Sequence, residues 1–187
     1  MRYVWDFDEP SEGGKALLGG KGAGLAEMTQ IGMPVCGGFT VSTDACRAYM
    51  RESKVPAGLD KEVAEHIAKL EEQSGKKFGD LKDPLLVSVR SGAAVSMPGM
   101  MDTVLNLGLN DAAAAGLAEA TGNPRFAYDC YRRLVQMYGE VVDEIPDHYF
   151  EDALTELKAK RGVKNDAELT ADDLKELSDT FIAIYEK

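Results

Sequence analysis

The sequence predicts a mixed α/β (α+β) fold in which strands and helices alternate early and helices alone follow. Three observations predict it. Two short β-branched runs, Gly38-Phe39-Thr40-Val41-Ser42 and Leu85-Leu86-Val87-Ser88-Val89-Arg90, read as strands. Between them Leu59, Val63, Ile67 and Leu70 recur at helical spacing. From about residue 111 the apolar residues keep the helical period and no strand-like run returns. Alternating strand and helix points to helices layered on a sheet. We therefore expect an α/β part over residues 1–110 and a helical part over 111–187.

The elements follow in order. Residues 1–110 hold most of the 19 glycines, with pairs at Gly13-Gly14, Gly19-Gly20 and Gly37-Gly38. Gly19-Gly20-Lys21-Gly22-Ala23-Gly24 leads into a helix through Met28. Thr43 suits an N-cap, with Ala45, Cys46 and Tyr49 behind it. Asn123-Pro124 sets a capping residue before a proline at the first helical position, where its missing N–H costs nothing. Phe126, Cys130, Leu134, Met137 and Tyr138 then share a face, and Gly139 is placed to end that helix. Asp147 caps a further helix with Phe150, Ala153, Leu154 and Leu157 inward. The polar residues 162–168 read as a linker. Thr170 opens the last helix, with Leu174, Leu177, Phe181 and Ile184 on its inner face. That pattern is still apolar at Tyr185 with no glycine stop, which predicts a piece of something longer.

Composition narrows the function classes. The 187 residues are 44% hydrophobic and 28% charged, a globular composition. Twenty-one basic against 32 acidic residues give a net charge of -11. Such a field repels nucleic acid and anionic membrane, leaving room for a local basic site that takes a small anion. No apolar run nears the roughly 20 residues of a membrane span. Cys36, Cys46 and Cys130 are odd in number and follow no CxxC spacing, which suits a reducing, cytoplasmic setting.

Two segments carry candidate chemistry. Glycines ahead of a helix let backbone N–H groups face an anion, and the helix dipole favours negative charge there. A lysine at that helix start, Lys21, is disfavoured by the same dipole unless a phosphate neutralises it. Gly22 after the lysine rules out the P-loop spacing, and no clear strand precedes the run as a dinucleotide fingerprint requires. By spacing alone, a solvated turn lysine and a phosphate ligand fit this run equally well. The second segment delivers Arg90 at a strand end, followed by Ser91-Gly92-Ala93-Ala94-Val95-Ser96-Met97-Pro98-Gly99-Met100-Met101-Asp102. A guanidinium there suits phosphoryl oxygens through its bidentate fork. Ligands of α/β sheets gather at strand C-terminal ends. The methionines can form an adaptable lid, but taken alone they read as core. His66 and His148 form neither a metal set nor a catalytic triad; His66 reads as a surface residue and His148 as lying near a helix start. Arg132 and Arg133 read as solvated or paired with Glu140.

These runs resemble the pyruvate phosphate dikinase family, at the start of its nucleotide-binding domain. Leu17-Leu18-Gly19-Gly20-Lys21-Gly22-Ala23-Gly24-Leu25-Ala26-Glu27-Met28, Ile31-Gly32-Met33-Pro34-Val35 and Gly38-Phe39-Thr40-Val41 carry the likeness. More specific is Ser96-Met97-Pro98-Gly99-Met100-Met101-Asp102-Thr103 after Val89-Arg90-Ser91, with Arg125-Phe126-Ala127-Tyr128-Asp129 beyond it. The likeness covers nearly the whole chain and weakens after about residue 145. Cys36-Gly37 departs from it, since the family often has proline there.

The resemblance implies the N-terminal half of an ATP-grasp domain with a helical subdomain. It implies an enzyme converting ATP, phosphate and pyruvate to AMP, pyrophosphate and phosphoenolpyruvate through a phosphohistidine. Lys21 and Arg90 are then the catalytic cations on the ATP phosphates. Gly19, Gly20, Ser91, Gly92, Ser96, Gly99, Met101, Asp102 and Thr103 are then nucleotide-binding positions. Mg2+ ligands, the phosphohistidine domain and the pyruvate-binding barrel of that family lie beyond these residues. The resemblance thus implies a monomeric piece, inactive alone and without a tightly held cofactor, of an oligomeric enzyme. A stand-alone nucleotide- or anion-binding module and a phosphoenolpyruvate synthase-like piece are the alternatives.

Overall fold

A computed structural model describes residues 1–9, 11–92 and 102–186, which fold as a mixed α/β chain. Their contacts group into two compact units. Met1–Gly75 forms one unit, with Ser91 and Gly92; Lys76–Arg90 and the chain from Asp102 onward form the other.

The first unit contains β1 (Val4–Asp6), α1 (Gly14–Gln30), β2 (Phe39–Val41), α2 (Thr43–Glu52) and α3 (Leu59–Ser74). β1 and β2 pair antiparallel, with Val4 opposite Val41, Trp5 opposite Thr40 and Asp6 opposite Phe39. Leu18, Ala23 and Ala26 of α1 pack with Trp5 and Leu17 into a small core. Helix α3 is held to β1 chiefly by polar groups. The Glu62 carboxylate accepts the Tyr3 and Val4 N–H groups at 2.7 and 2.9 Å. Asp6 receives His66 Nδ1 on one oxygen and Lys69 Nζ on the other, the latter at 2.7 Å. Residues 62, 66 and 69 fall on one helical face, so His66 is buried against β1 rather than on the surface as its sequence neighbours implied. Ser42, not Thr43, occupies the N-cap position of α2. Ala45 and Ala48 supply that helix's buried face, leaving Cys46 and Tyr49 exposed.

The second unit contains β3 (Val87–Arg90), β4 (Thr103–Leu107), α4 (Asp111–Thr121), α5 (Pro124–Val141), α6 (His148–Arg161), a 3₁₀ turn (Asp166–Glu168) and α7 (Ala171–Ile184). β3 and β4 form an antiparallel hairpin whose Val104 enters the helical core. That packing groups the hairpin with the helices, so the compact units do not divide at residue 110. Leu134, Leu154, Leu169, Leu174 and Leu177 surround Phe150 and Phe181, whose rings meet edge to face at 5.0 Å. Side chains close the helix starts. Asn110 accepts the Ala113 N–H, Asn123 accepts the Phe126 N–H, and Thr170 with Asp173 forms a capping box.

Four sequence expectations are corrected here. Residues 162–168 are not a slack linker: Asn165 and Glu168 cap the 3₁₀ turn reciprocally, and Arg125 donates to the Asp166 and Leu169 carbonyls. Gly139 lies inside α5 and does not end it; the Phe150 and Tyr185 rings occupy the space where a side chain would stand. Arg132 is buried, held by Asp129 at 3.0 Å and Gln136 at 2.9 Å, while Arg133 also pairs with Asp129. Glu140 instead accepts from Gln136. Phe126 and Tyr138, assigned to the inner face, are exposed.

Candidate functional site

The glycine-led run folds as a broken helix. Gly19 sits at φ 70°, ψ 174°, a conformation essentially restricted to glycine, and it interrupts α1. A helix that restarts after such a break presents fresh N–H groups and the positive end of its dipole. Gly20 and Lys21 occupy that restart, half-buried, with Gly19 buried beneath them. Lys21 donates from Nζ to the Ser91 carbonyl at 3.1 Å. Lys21, Ser91 and Gly92 are thereby brought together, 70 residues apart in sequence for the bonded pair.

Two threonines support this turn. The Thr43 hydroxyl donates to the Ala16 carbonyl at 2.6 Å, three residues before the break. A side chain at Gly22 would meet Thr40 Oγ1 at 2.7 Å and Cγ2 at 2.9 Å, so α1 sits directly on β2 there. The sequence reading assigns neither threonine to the site, although Thr40 stands in a run that carries the family resemblance.

Arg90 ends β3 in the other unit, exposed, in register with Thr103 of β4. Its Nε reaches the Ser88 hydroxyl at 3.3 Å. Asp102 precedes Thr103, so Arg90, Asp102 and Thr103 share one end of the hairpin. β3 pairs antiparallel with β4 in a two-stranded sheet, whereas the strand-end rule describes open, mostly parallel α/β sheets. A bulge fixes the hairpin lower down, where Asn106 takes φ 60° and donates to the Cys130 carbonyl at 3.0 Å. Ser96, Gly99 and Met101 lie outside the described residues, as do Met97 and Met100.

Within the first unit, the Lys21 ammonium and the N–H groups of the restarted helix are chemically suited to an anion. The Asp6 carboxyl is raised by burial, but hydrogen bonds from Lys69 and His66 hold it below the usual range. That pairing commits His66 to structure. His148 is exposed and stacked on Tyr149. Among the described residues no three His, Cys, Asp or Glu side chains gather as a metal set. No described helix is long and apolar enough to cross a membrane.

Comparison with known proteins gives a consistent match. The family described as "Pyruvate phosphate dikinase, AMP/ATP-binding domain" matches residues 15–63 and 51–169. A pyruvate, phosphate dikinase of Clostridium symbiosum is 55% identical over 187 residues, covering 100% of this chain and 21% of that protein. The Entamoeba histolytica enzyme of that name is 50% identical over 183 residues, 97% of this chain and 21% of the relative. A chloroplastic pyruvate, phosphate dikinase 1 of Oryza sativa subsp. japonica is 58% identical over 179 residues, 94% and 19% respectively. The chain spans about a fifth of the length of these curated relatives.

Proposed function

The chain belongs to the family of the pyruvate phosphate dikinase AMP/ATP-binding domain, and from that premise we propose that it holds the ATP phosphates within a pyruvate phosphate dikinase. The longer protein would convert ATP, phosphate and pyruvate to AMP, pyrophosphate and phosphoenolpyruvate through a phosphohistidine on another domain. The observation that carries this reading is the broken helix at Gly19, which aims Lys21 at the Ser91 carbonyl, one residue beyond Arg90.

On this reading Lys21 and Arg90 converge on the β- and γ-phosphoryl groups. Phosphoryl transfer requires little covalent chemistry from the protein, so catalysis is positioning plus charge compensation. The Lys21 ammonium acts as a point charge, while the Arg90 guanidinium takes two phosphoryl oxygens in its fork. Both cations act where negative charge builds in the transition state. A focused positive patch is needed, because the net charge of -11 otherwise repels a polyphosphate. Gly19, Gly20, Ser91 and Gly92 supply backbone that the phosphates can approach, and Asp102 and Thr103 belong to the same proposed nucleotide-binding set. Ser96, Gly99 and Met101 complete the proposed nucleotide-binding set. Mg2+, whose role would be to bridge and neutralise phosphate oxygens, would take its ligands from outside the described residues. The setting we propose is cytoplasmic and the whole enzyme a homo-oligomer, with this chain bearing on the phosphohistidine domain.

In the full-length protein, Lys21→Ala and Arg90→Ala should each cut ATP-dependent histidine phosphorylation by at least 100-fold, in line with the loss of one oxyanion-stabilising group. Phosphorylation of the same histidine from phosphoenolpyruvate should persist. Wild-type ATP-side activity in either variant would refute the assignment.

A further inference from the structure

We propose that the corner joining β2 to α2, through Thr40 and Thr43, is the mount that positions Lys21 for the nucleotide. The inference rests on the phosphate-binding reading and adds to it two residues that never touch the ligand.

Helix α1 is gripped on both sides of its break. Before the break, Thr43 Oγ1 donates to the Ala16 carbonyl at 2.6 Å. In an unbroken helix that carbonyl would accept from residue 20. Gly19 at φ 70° interrupts this ladder, and the threonine hydroxyl occupies the acceptor. After the break, the Thr40 side chain fills the space against Gly22, leaving no room for a Cβ. Leu18 Cβ, at 3.3 Å, closes the same space from α1 itself.

The azimuth then follows from helix geometry. Successive residues lie about 100° apart around the axis at 3.6 residues per turn. With Gly22 facing Thr40, Lys21 is turned about 100° away, toward the Ser91 carbonyl it reaches at 3.1 Å. Rotating or lifting the restarted helix would swing the ammonium off that point. Thr40 is itself fixed by the ladder, opposite Trp5 of β1, and Ser42 next to Thr43 donates its backbone N–H to Tyr3 at 2.8 Å. The mount is therefore tied to the sheet rather than to a free loop. Because the lysine is set by packing, side chains at positions 22 and 40 should compensate for one another.

The test is calorimetric titration of ATP into the full-length protein, with stoichiometry reporting the folded fraction. Gly22→Ala should raise the ATP Kd at least tenfold, because the new methyl group meets Thr40. Adding Thr40→Ala, which removes both obstructing atoms, should return the Kd to within threefold of wild type. Thr40→Ala alone should weaken ATP two- to fivefold, and Thr43→Val, which keeps the shape and loses the hydroxyl, about as much. A merely structural role would lower stoichiometry and leave the Kd of the folded fraction unmoved, and that result overturns the mount. Failure of Thr40→Ala to rescue a folded Gly22→Ala protein overturns it as well. If Gly22→Ala does not fold, Thr40→Ala decides alone, and a wild-type Kd overturns the proposal. Lys21→Ala run in parallel separates the two readings. Unchanged ATP affinity there refutes the phosphate reading and the mount with it, whereas loss there beside a wild-type Gly22→Ala refutes the mount alone.

Discussion

The two compact units treat their apolar residues differently. The second unit seals Phe150 and Phe181 at 0% exposure, and caps each surrounding helix with a side chain or a left-handed turn. The first buries chiefly small residues, Ala23, Ala26, Ala45 and Ala48, while Ile31 stands 75% and Met50 77% exposed. Its α3 is fixed to β1 by Glu62, His66 and Lys69 instead of by a packed seam. The large buried aromatic core thus belongs to the second unit, and the glycine-broken helix that carries Lys21 to the first. Helices packed on aromatic anchors resist opening, whereas a glycine-broken helix on a two-stranded sheet is built for backbone approach. Ligand-binding elements are commonly drawn from the less stable part of a structure.

That contrast can be broken by mutation, and the largest effect falls in the second unit. Phe181→Ala should cost about 3–5 kcal/mol, the usual range for emptying a buried aromatic site. Met50→Ala in the first unit should stay within about 0.5 kcal/mol, as exposed substitutions do. Urea unfolding followed by far-UV circular dichroism measures both, and equal costs would erase the distinction.

Next in size is the polar clamp. Asp6→Asn leaves buried His66 and exposed Lys69 without their carboxylate and should cost about 1–3 kcal/mol, the range for stranding a buried partner such as His66. Amide exchange in α3 reports it. Because the folded state depresses the Asp6 pKa, the clamp is whole above the ordinary carboxylate range, near pH 4. It weakens as pH falls below that range, so α3 exchange should quicken there in the wild type and show no such step in Asp6→Asn.

The capping box of α7 should show a smaller effect, about 1 kcal/mol for Thr170→Ala. The Thr170 hydroxyl and N–H, then Arg161, pull the Asp173 carboxyl down to about 2. Its contribution should therefore be complete above the usual Asp range and fade only as the pH falls toward 2, read by the helical signal. Glu176→Gln, which removes the exposed carboxylate that Lys160 and Arg161 share while Arg161 keeps Asp173, should leave the urea midpoint nearly unchanged. A clearly lowered midpoint would mean that surface pairs share the work assigned to the core.

The sequence disclosed what local chemistry decides. Asn123-Pro124 and Thr170 mark helix starts through capping geometry, and Phe150, Leu154, Leu157, Leu174, Leu177 and Phe181 keep the helical period inward. Lys21 and Arg90 stood out because a cation beside glycines is unusual without an anion. What stayed hidden depends on distant partners. His66 reads as a surface residue until Asp6, 60 positions away, is folded against it. Arg132 interrupts an apolar face yet is buried, since Asp129 one turn earlier satisfies its charge. Gly139 resembles a helix stop because nothing local announces the Phe150 ring above it. The support from Thr40 and Thr43 was invisible for the same reason.

The central claim, that Lys21 and Arg90 hold phosphate, is tested most directly by comparing ATP with adenosine in calorimetric titrations of the full-length protein. Adenosine shares the base and sugar but carries no phosphate. Lys21→Ala and Arg90→Ala should each raise the Kd for ATP at least tenfold, about 1.4 kcal/mol or more, and leave adenosine binding at its wild-type value. Unchanged ATP affinity in either variant, or equal losses for ATP and adenosine, would contradict the account.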